Sequence, residues 1–279
     1  MSHKKLPFAL GFLLFILLAS WSFPVMAEQS AQDEKDEIFM LTAYSVVLND
    51  WQQSSPHKRG HNIGSILVDD KGQIVWWARN CNAILNNGTQ HGEIRLIVGY
   101  LNHTPNRSTL DGYTIYTSLE PCAQCSGMMA LTKTARTVYG QTDPAYGKAI
   151  ERLALDSKKW NKAGYTPYPR ADKLISDRSK TEFCTQLEEA YEKAHMPITA
   201  FLLTDEAKNI YQAAASKLQN YKIKYLENKK VLDSAKEFLK TRVYPGVPPI
   251  IIKAEAKPGM SIPKEMKAPQ SSMGKAANN

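Results

Sequence analysis

The sequence predicts an α/β layer fold, and three observations carry that reading. Two β-rich runs, Ile63–Val68 and Ile74–Ala78, flank Asp69-Asp70-Lys71-Gly72, which is a hairpin signal. Downstream of them, short β-rich runs alternate with helical stretches, the order expected of helices layered on a sheet. The chain has 279 residues at 43% hydrophobic composition, enough for one domain with a full core and an appendage, and it shows no internal repeat.

The elements follow in order. His3-Lys4-Lys5, the apolar run Phe8–Leu18 and the small-residue pattern Val25-Met26-Ala27 read as a signal peptide over 1–27, cleaved after Ala27. An uncleaved anchor is the rival reading. The run is short for a membrane span, and no later segment is apolar enough to be one. The expectation is therefore an exported chain, periplasmic or secreted, with no span in its mature form.

Asp36–Trp51 has helical apolar spacing at Ile38, Leu41, Tyr44, Ser45 and Leu48, with acidic residues at its start. The hairpin follows a polar loop. A helix is predicted from about His91 to Tyr100, a short buried strand over Tyr113–Thr117, a helix over Cys122–Leu131 and a strand over Ala135–Tyr139. Thr166–Pro169 reads as a loop, Lys180–His195 as a helix and Ile198–Leu203 as a strand. From Asp205 a helix is predicted with apolar positions 211, 214, 218, 221, 225, 232, 235 and 239, where Asn228 fills the one gap. Such a seam suits packing on the chain's own domain or against a partner chain. Residues 243–279 turn to proline, lysine and small polar residues and are expected to be disordered.

The formal charge of +8 is a property of the C-terminal quarter: residues 205–279 hold 14 Lys/Arg against 7 Asp/Glu. That excess suits a nucleic acid or an anionic membrane surface as partner. It equally suits a solvated helix face and a soluble tail.

Four cysteines, at 81, 122, 125 and 184, are too few for a disulfide scaffold in a chain of this length. Cys122 and Cys125 follow Pro121 within SLEPCAQCSGMM, and a step of three along a helix turns both sulfurs to one side. Pro121 suits a helix start, and the helix N-terminus favours thiolates. His91-Gly92-Glu93 opens the preceding helix. H-x-E followed by P-C-x-x-C is the zinc deaminase signature. His91, Cys122 and Cys125 supply three ligands and leave a fourth position for water, and Glu93 is the general acid/base beside it. Two readings compete. A structural zinc site would need a fourth ligand, for which His103, Cys81 or Cys184 are candidates, and a thioredoxin-like redox pair would leave His91 and Glu93 without a purpose.

These residues, with YTSLEPCAQCSGMM, ARTVYGQTDPAYG and ITAFLLTDEA, resemble the cytidine/deoxycytidylate deaminase superfamily, in particular its guanine deaminase and tRNA adenosine deaminase branch. The resemblance spans about 36–220 and is poor over 150–195. It implies a three-layer α/β/α fold with a five-stranded mixed sheet, the last strand at Ile198–Leu203, and zinc between two helix starts. The domain reading is then a deaminase domain over 28–220 with an insertion at about 150–195, a basic helical extension over 221–242 and the tail. The resemblance also implies substrate binding by Asn80, whose competing reading is a turn residue, and by the Gly92 backbone amide. Asp143 reads as a turn residue. Trp160, Tyr165 and Tyr168 in the insertion are candidates for contacting a base. Cys81 and Cys184 are either a disulfide or two separate buried thiols, the latter favoured. The branch often dimerises, and the 211–239 seam would allow it.

The functional expectation is a zinc-dependent hydrolase that removes an exocyclic amine from a purine base or nucleoside, guanine first, then adenosine or cytidine types. An exported nucleic-acid deaminase docking through the basic C-terminal region is the alternative. A non-catalytic zinc-binding protein is the third reading, against which Glu93 speaks.

Overall fold

The computed structural model describes residues 31–53 and 59–246. The predicted signal peptide and most of the predicted disordered tail lie outside the described residues. Among the described residues no helix is long and apolar enough to cross a membrane.

Five strands form one mixed sheet in the order β2-β1-β3-β4-β5: β1 Gly64–Val68, β2 Ile74–Arg79, β3 Thr114–Leu119, β4 Arg136–Gln141 and β5 Ile175–Arg178. β1 pairs antiparallel with β2 and β3, while β3–β4 and β4–β5 are parallel. Alternation along the strands sorts side chains to two faces. Ile66, Val68, Tyr116 and Val138 enter one apolar core; Leu67, Ala78 and Ile115 enter another. The second core is closed by α2 Gly92–His103, α3 Ala123–Leu131 and α4 Ala149–Leu153. The first is closed by α1, helical over 31–48, with α5 Glu182–Ala194, α6 Ile198–Phe201, α7 Asp205–Gln219 and α8 Lys229–Thr241. This is the α/β layer fold the sequence predicted, in the three-layer α/β/α form the family resemblance implied.

α1 is more deeply buried than its amphipathic spacing suggests. Phe39, Met40, Ala43, Val46 and Val47 are buried along with Ile38, Leu41 and Tyr44. The C-terminal helices share its core and cover the face that would otherwise meet water. Each such large side chain contributes about 1.5–3 kcal/mol by leaving water.

Two expectations are corrected. Ile198–Leu203 is not the fifth strand: Pro197 starts the short helix α6, whose Ile198 and Phe201 turn into the core. A short apolar run fits a buried helix turn as well as a strand. The fifth strand is Ile175–Arg178, within the interval that resembles the family least. The long C-terminal helix is two helices, α7 and α8. Glu34 of α1 accepts the Lys224 and Tyr225 amides at 2.7 and 3.1 Å, and Asn228 donates to the Ala31 carbonyl at 2.8 Å and to Glu34 at 2.9 Å. The break is therefore satisfied by α1 instead of by its own helical turns. The seam residues Tyr211, Ala214, Leu218, Leu232 and Ala235 are buried within the chain's own core.

Candidate active site

Two helix starts face each other at one end of the sheet. β3 ends at Leu119; after Glu120 and Pro121, Cys122 takes the N-cap position of α3 in extended backbone and Cys125 falls in the first turn. His91 takes the N-cap position of α2. The loop between β2 and α2 is held to β2 by the Cys81 amide donating to the Gln90 carbonyl at 2.9 Å. It is tied to α3 by Gln124 Nε2 donating to the Thr89 carbonyl at 2.8 Å.

His91 Nδ1 lies 3.5 Å from Cys122 Sγ and 3.6 Å from Cys125 Sγ, and the sulfurs are 3.6 Å apart. A tetrahedral zinc with Zn–S of about 2.3 Å and Zn–N of about 2.0–2.1 Å separates its donors by roughly 3.8 Å (S···S) and 3.5 Å (S···N). The three donors therefore fit zinc. Among the described residues the cluster holds these three alone, and His103, Cys81 and Cys184 lie outside it. The donors are coupled: the hydrogen bond between the two thiols draws the Cys122 pKa down to about 4, and the same bond together with burial pushes Cys125 up. His91 is raised, chiefly by its bond to Cys122.

Glu93 sits in the first turn of α2 and is buried. Its Oε2 lies 3.5 Å from Cys125 Sγ. Its Oε1 accepts from Thr117 Oγ1 at 3.0 Å, and Thr117 in turn accepts from Ser65 Oγ at 3.0 Å. This relay across β1 and β3 fixes the carboxylate against the cluster, and burial raises its pKa.

Asn80 follows the last residue of β2. Its Oδ1 accepts the Gly92 amide at 2.7 Å, which satisfies one of the orphan donors at the start of α2. Its Nδ2 is buried and has no hydrogen-bond partner among the described residues. One end of the side chain braces a helix start, and the other places a donor beside a cavity. The Gly92 amide is engaged by Asn80, and Gly92 does not line that cavity. Arg59 braces Asn80 from behind through a hydrogen bond to its carbonyl and is itself held by Asp50 at 2.7 Å.

The cavity measures about 320 Å³ and is lined by Asn80, His91, Glu93 and Cys122 on its polar side. Glu120, Asp143 and Tyr146 form one wall; His61, Ile63, Leu119, Ile198 and Thr199 complete it. Trp160, Tyr165 and Tyr168 are not among its lining residues, and all three are exposed. Cys81 and Cys184 are separate buried thiols, Cys184 lying 3.1 Å from the Tyr44 hydroxyl. Asp143 is a turn residue as expected, its Oδ1 accepting the Ala145 and Tyr146 amides at 3.0 and 2.9 Å. Sequence reasoning missed Thr117, Glu120, His61 and Tyr146, although Glu120 sits beside the cysteines in the SLEPCAQC stretch.

The zinc-binding region of the cytidine and deoxycytidylate deaminases matches residues 33–141, which hold every residue of the cluster. A probable cytosine deaminase of Schizosaccharomyces pombe is 34% identical over 107 residues, 38% of this chain and 60% of that protein. A tRNA-specific adenosine deaminase of Rickettsia felis is 34% identical over 92 residues, covering 33% of this chain and 63% of that protein. Another, from Rickettsia bellii, is 30% identical over 98 residues, covering 35% and 67%. The chain thus spans about 60–67% of the length of these relatives. With the matched region, the donor set and the five-stranded sheet in agreement, the chain belongs to the cytidine and deoxycytidylate deaminase superfamily.

Proposed function

We propose that the protein is a zinc-dependent hydrolytic deaminase that removes an exocyclic amine from a purine base or nucleoside, guanine first, with release of ammonia. One observation carries this reading: a buried carboxylate, Glu93, is fixed beside a three-donor cluster that opens onto a cavity, where a purely structural site has no use for it.

His91, Cys122 and Cys125 would hold the zinc, which when bound makes water acidic enough to act as a nucleophile near neutral pH. Glu93 would accept one proton of a water molecule on Oε2 as the remaining hydroxyl bonds to the amine-bearing ring carbon, and would return that proton to the amine as the C–N bond breaks and ammonia leaves. Thr117 keeps Oε1 occupied, so Oε2, beside the Cys125 sulfur, is the oxygen left for the proton. The unpaired Nδ2 of Asn80 donates to an acceptor on the ring, and Gly92 acts on the substrate by holding Asn80. A burial-raised pKa suits a carboxyl group that must both accept and give up a proton.

The test is ammonia release by zinc-loaded protein over guanine, adenine, adenosine, cytosine, cytidine, single-stranded DNA and tRNA, with Glu93→Ala as control. Release from a small molecule, lost in the variant, supports the reading and names the substrate. Release from the polymers alone replaces it with the nucleic-acid reading, which the basic C-terminal region and the tRNA-acting relatives favour. No release from any of them sinks the enzymatic reading. Export belongs to the same proposal: N-terminal sequencing of the mature protein should begin at Glu28.

A further inference from the structure

The turn 143–148 is bonded at every backbone donor it has. The Asp143 amide donates to Glu120 Oε2 at 3.1 Å, and the Lys148 amide to Glu120 Oε1 at 2.7 Å. The Ala145 and Tyr146 amides donate to Asp143 Oδ1 at 3.0 and 2.9 Å, and the Gly147 amide to the Asp143 carbonyl at 2.9 Å. Pro144 has no donor to satisfy. The packing is as tight as the bonding: a Cβ on Gly147 would collide with Glu120 Oε2 and the Asp143 carbonyl. Lys148 is held at φ +56°, a left-handed backbone that a side chain adopts only when its surroundings impose it.

A turn this fixed nevertheless presents a large ring to solvent. Tyr146 is 68% exposed and lines the same cavity as Glu93, Cys122 and Asn80. Glu120, which clamps the turn, is two residues before Cys122. One buried carboxylate therefore sets the aromatic ring relative to the start of the helix that carries the cysteines.

From this geometry we infer that Tyr146 is a substrate-binding residue, a rigid ledge on which the heteroaromatic ring of the substrate stacks, and that Glu120 is the residue that positions it. The inference rests on the deaminase reading for the identity of the substrate, and it assigns the ring-recognition step to a residue outside the metal-binding motifs. A ring that stacks in the ground state and in the transition state alike contributes uniform binding, so its loss raises KM and leaves kcat nearly unchanged.

The experiment compares wild type, Tyr146→Ala, Tyr146→Phe, Glu120→Gln and the Tyr146→Ala/Glu120→Gln double variant. Each is checked for zinc content and assayed with guanine, adenosine and cytidine for ammonia release, with calorimetric titration of the same three compounds alongside. Tyr146→Ala should raise KM about 5- to 150-fold, the range of an aromatic–base stack. Tyr146→Phe should restore KM to within about twofold, because the ring and not the hydroxyl is used. Glu120→Gln should raise KM less than Tyr146→Ala does, and the double variant should be no worse than Tyr146→Ala, since Glu120 acts through the ring. A Tyr146→Ala KM within twofold of wild type, or an equal fall in kcat, overturns the inference. If wild type releases no ammonia, the deaminase reading fails by itself. The titrations then decide on the ledge: binding weakened by Tyr146→Ala upholds it, and binding that is absent or unaltered overturns it.

Discussion

Arg79 and Asn80 are neighbours at the end of β2, equally buried, and they face opposite ways. Arg79 turns to the core beneath the C-terminal helices. Its guanidinium donates to the Val46 carbonyl, to the Tyr244 carbonyl at 2.8 Å and to Asn49 Oδ1 at 3.3 Å, and it lies 4.6 Å over the Trp77 ring. Burial, then the nearby Arg59 charge, pulls its pKa down to about 9, which measures how unwelcome a cation is there. Acceptors on three sides offset that cost. Asn80 turns to the cavity, where one end of its amide is bonded and the other is buried with no partner. The Arg79 donors are satisfied within the chain, whereas Asn80 Nδ2 is the donor that the proposed substrate would complete. The same contrast separates the cavity rim from the C-terminal extension.

The most severe way to break this contrast is to remove a ligand of the proposed metal. Cys122→Ala should reduce bound zinc, measured by elemental analysis, from one per chain to nearly none, with activity lost alongside. Retention of stoichiometric zinc would refute the three-donor assignment. Next in size is Glu93→Gln, which keeps the shape and the bond from Thr117. Its kcat should fall about 10²- to 10⁴-fold with zinc content unchanged. A variant that loses zinc together with activity would show Glu93 to be a structural part of the cluster.

A finer cut separates the two ends of Asn80. Asn80→Asp keeps an acceptor for the Gly92 amide and removes the unpaired donor. On the best substrate, kcat/KM should fall about 10- to 100-fold, or roughly 1.4–2.8 kcal/mol, while Tm moves little. Asn80→Ala removes both ends, so it should lose stability as well. Equal Tm losses in the two variants would mean that the cap on α2 is not what Oδ1 supplies.

The sequence made one side of this comparison far more legible than the other. His91, Glu93, Cys122 and Cys125 are read from two short motifs, because metal chemistry fixes residue types and helical spacing fixes where they point. The hairpin, β3 and β4 are equally local signals. Tyr146 carries no such signal: its position depends on Glu120, 26 residues earlier, folding back to hold a turn. Ile175–Arg178 was hidden because ISDR is a partly exposed edge strand with no alternation to display. Ile198–Leu203 was misassigned for the opposite reason, as an apolar run that suits any buried element. The division of the C-terminal helix was out of reach because Glu34, which satisfies it, lies nearly 190 residues away. Apolar spacing continued across the break, and spacing alone cannot show that another helix has taken over the hydrogen bonds.

The smallest effect on activity is expected at the extension itself. The basic residues after 205 raised the prospect of a nucleic-acid docking arm, yet the described part of that region is built into the fold. Trp77 Nε1 donates to the Arg242 carbonyl at 2.9 Å, and the Tyr244 ring packs edge-on against Trp77 at 5.2 Å. Deleting 244–279 removes, among the described residues, one acceptor of Arg79 and that ring. A hydrogen bond to a charged group contributes about 1.5–3 kcal/mol and an aromatic pair about 0.5–1.5. The loss of roughly 2–4.5 kcal/mol should lower Tm by about 4–18 °C in a chain of this size. Because the Arg79 side of β2 faces away from the cavity, kcat on the best small substrate should stay within about twofold of wild type below the melting transition. Combining the deletion with Arg79→Met should then cost less than the sum of the two changes, since they share one bond. A truncated protein with unaltered Tm would show that the Tyr244 carbonyl is not needed by Arg79. One that keeps its Tm but loses salt-sensitive activity on tRNA or single-stranded DNA would turn the extension from a structural cover into a docking surface.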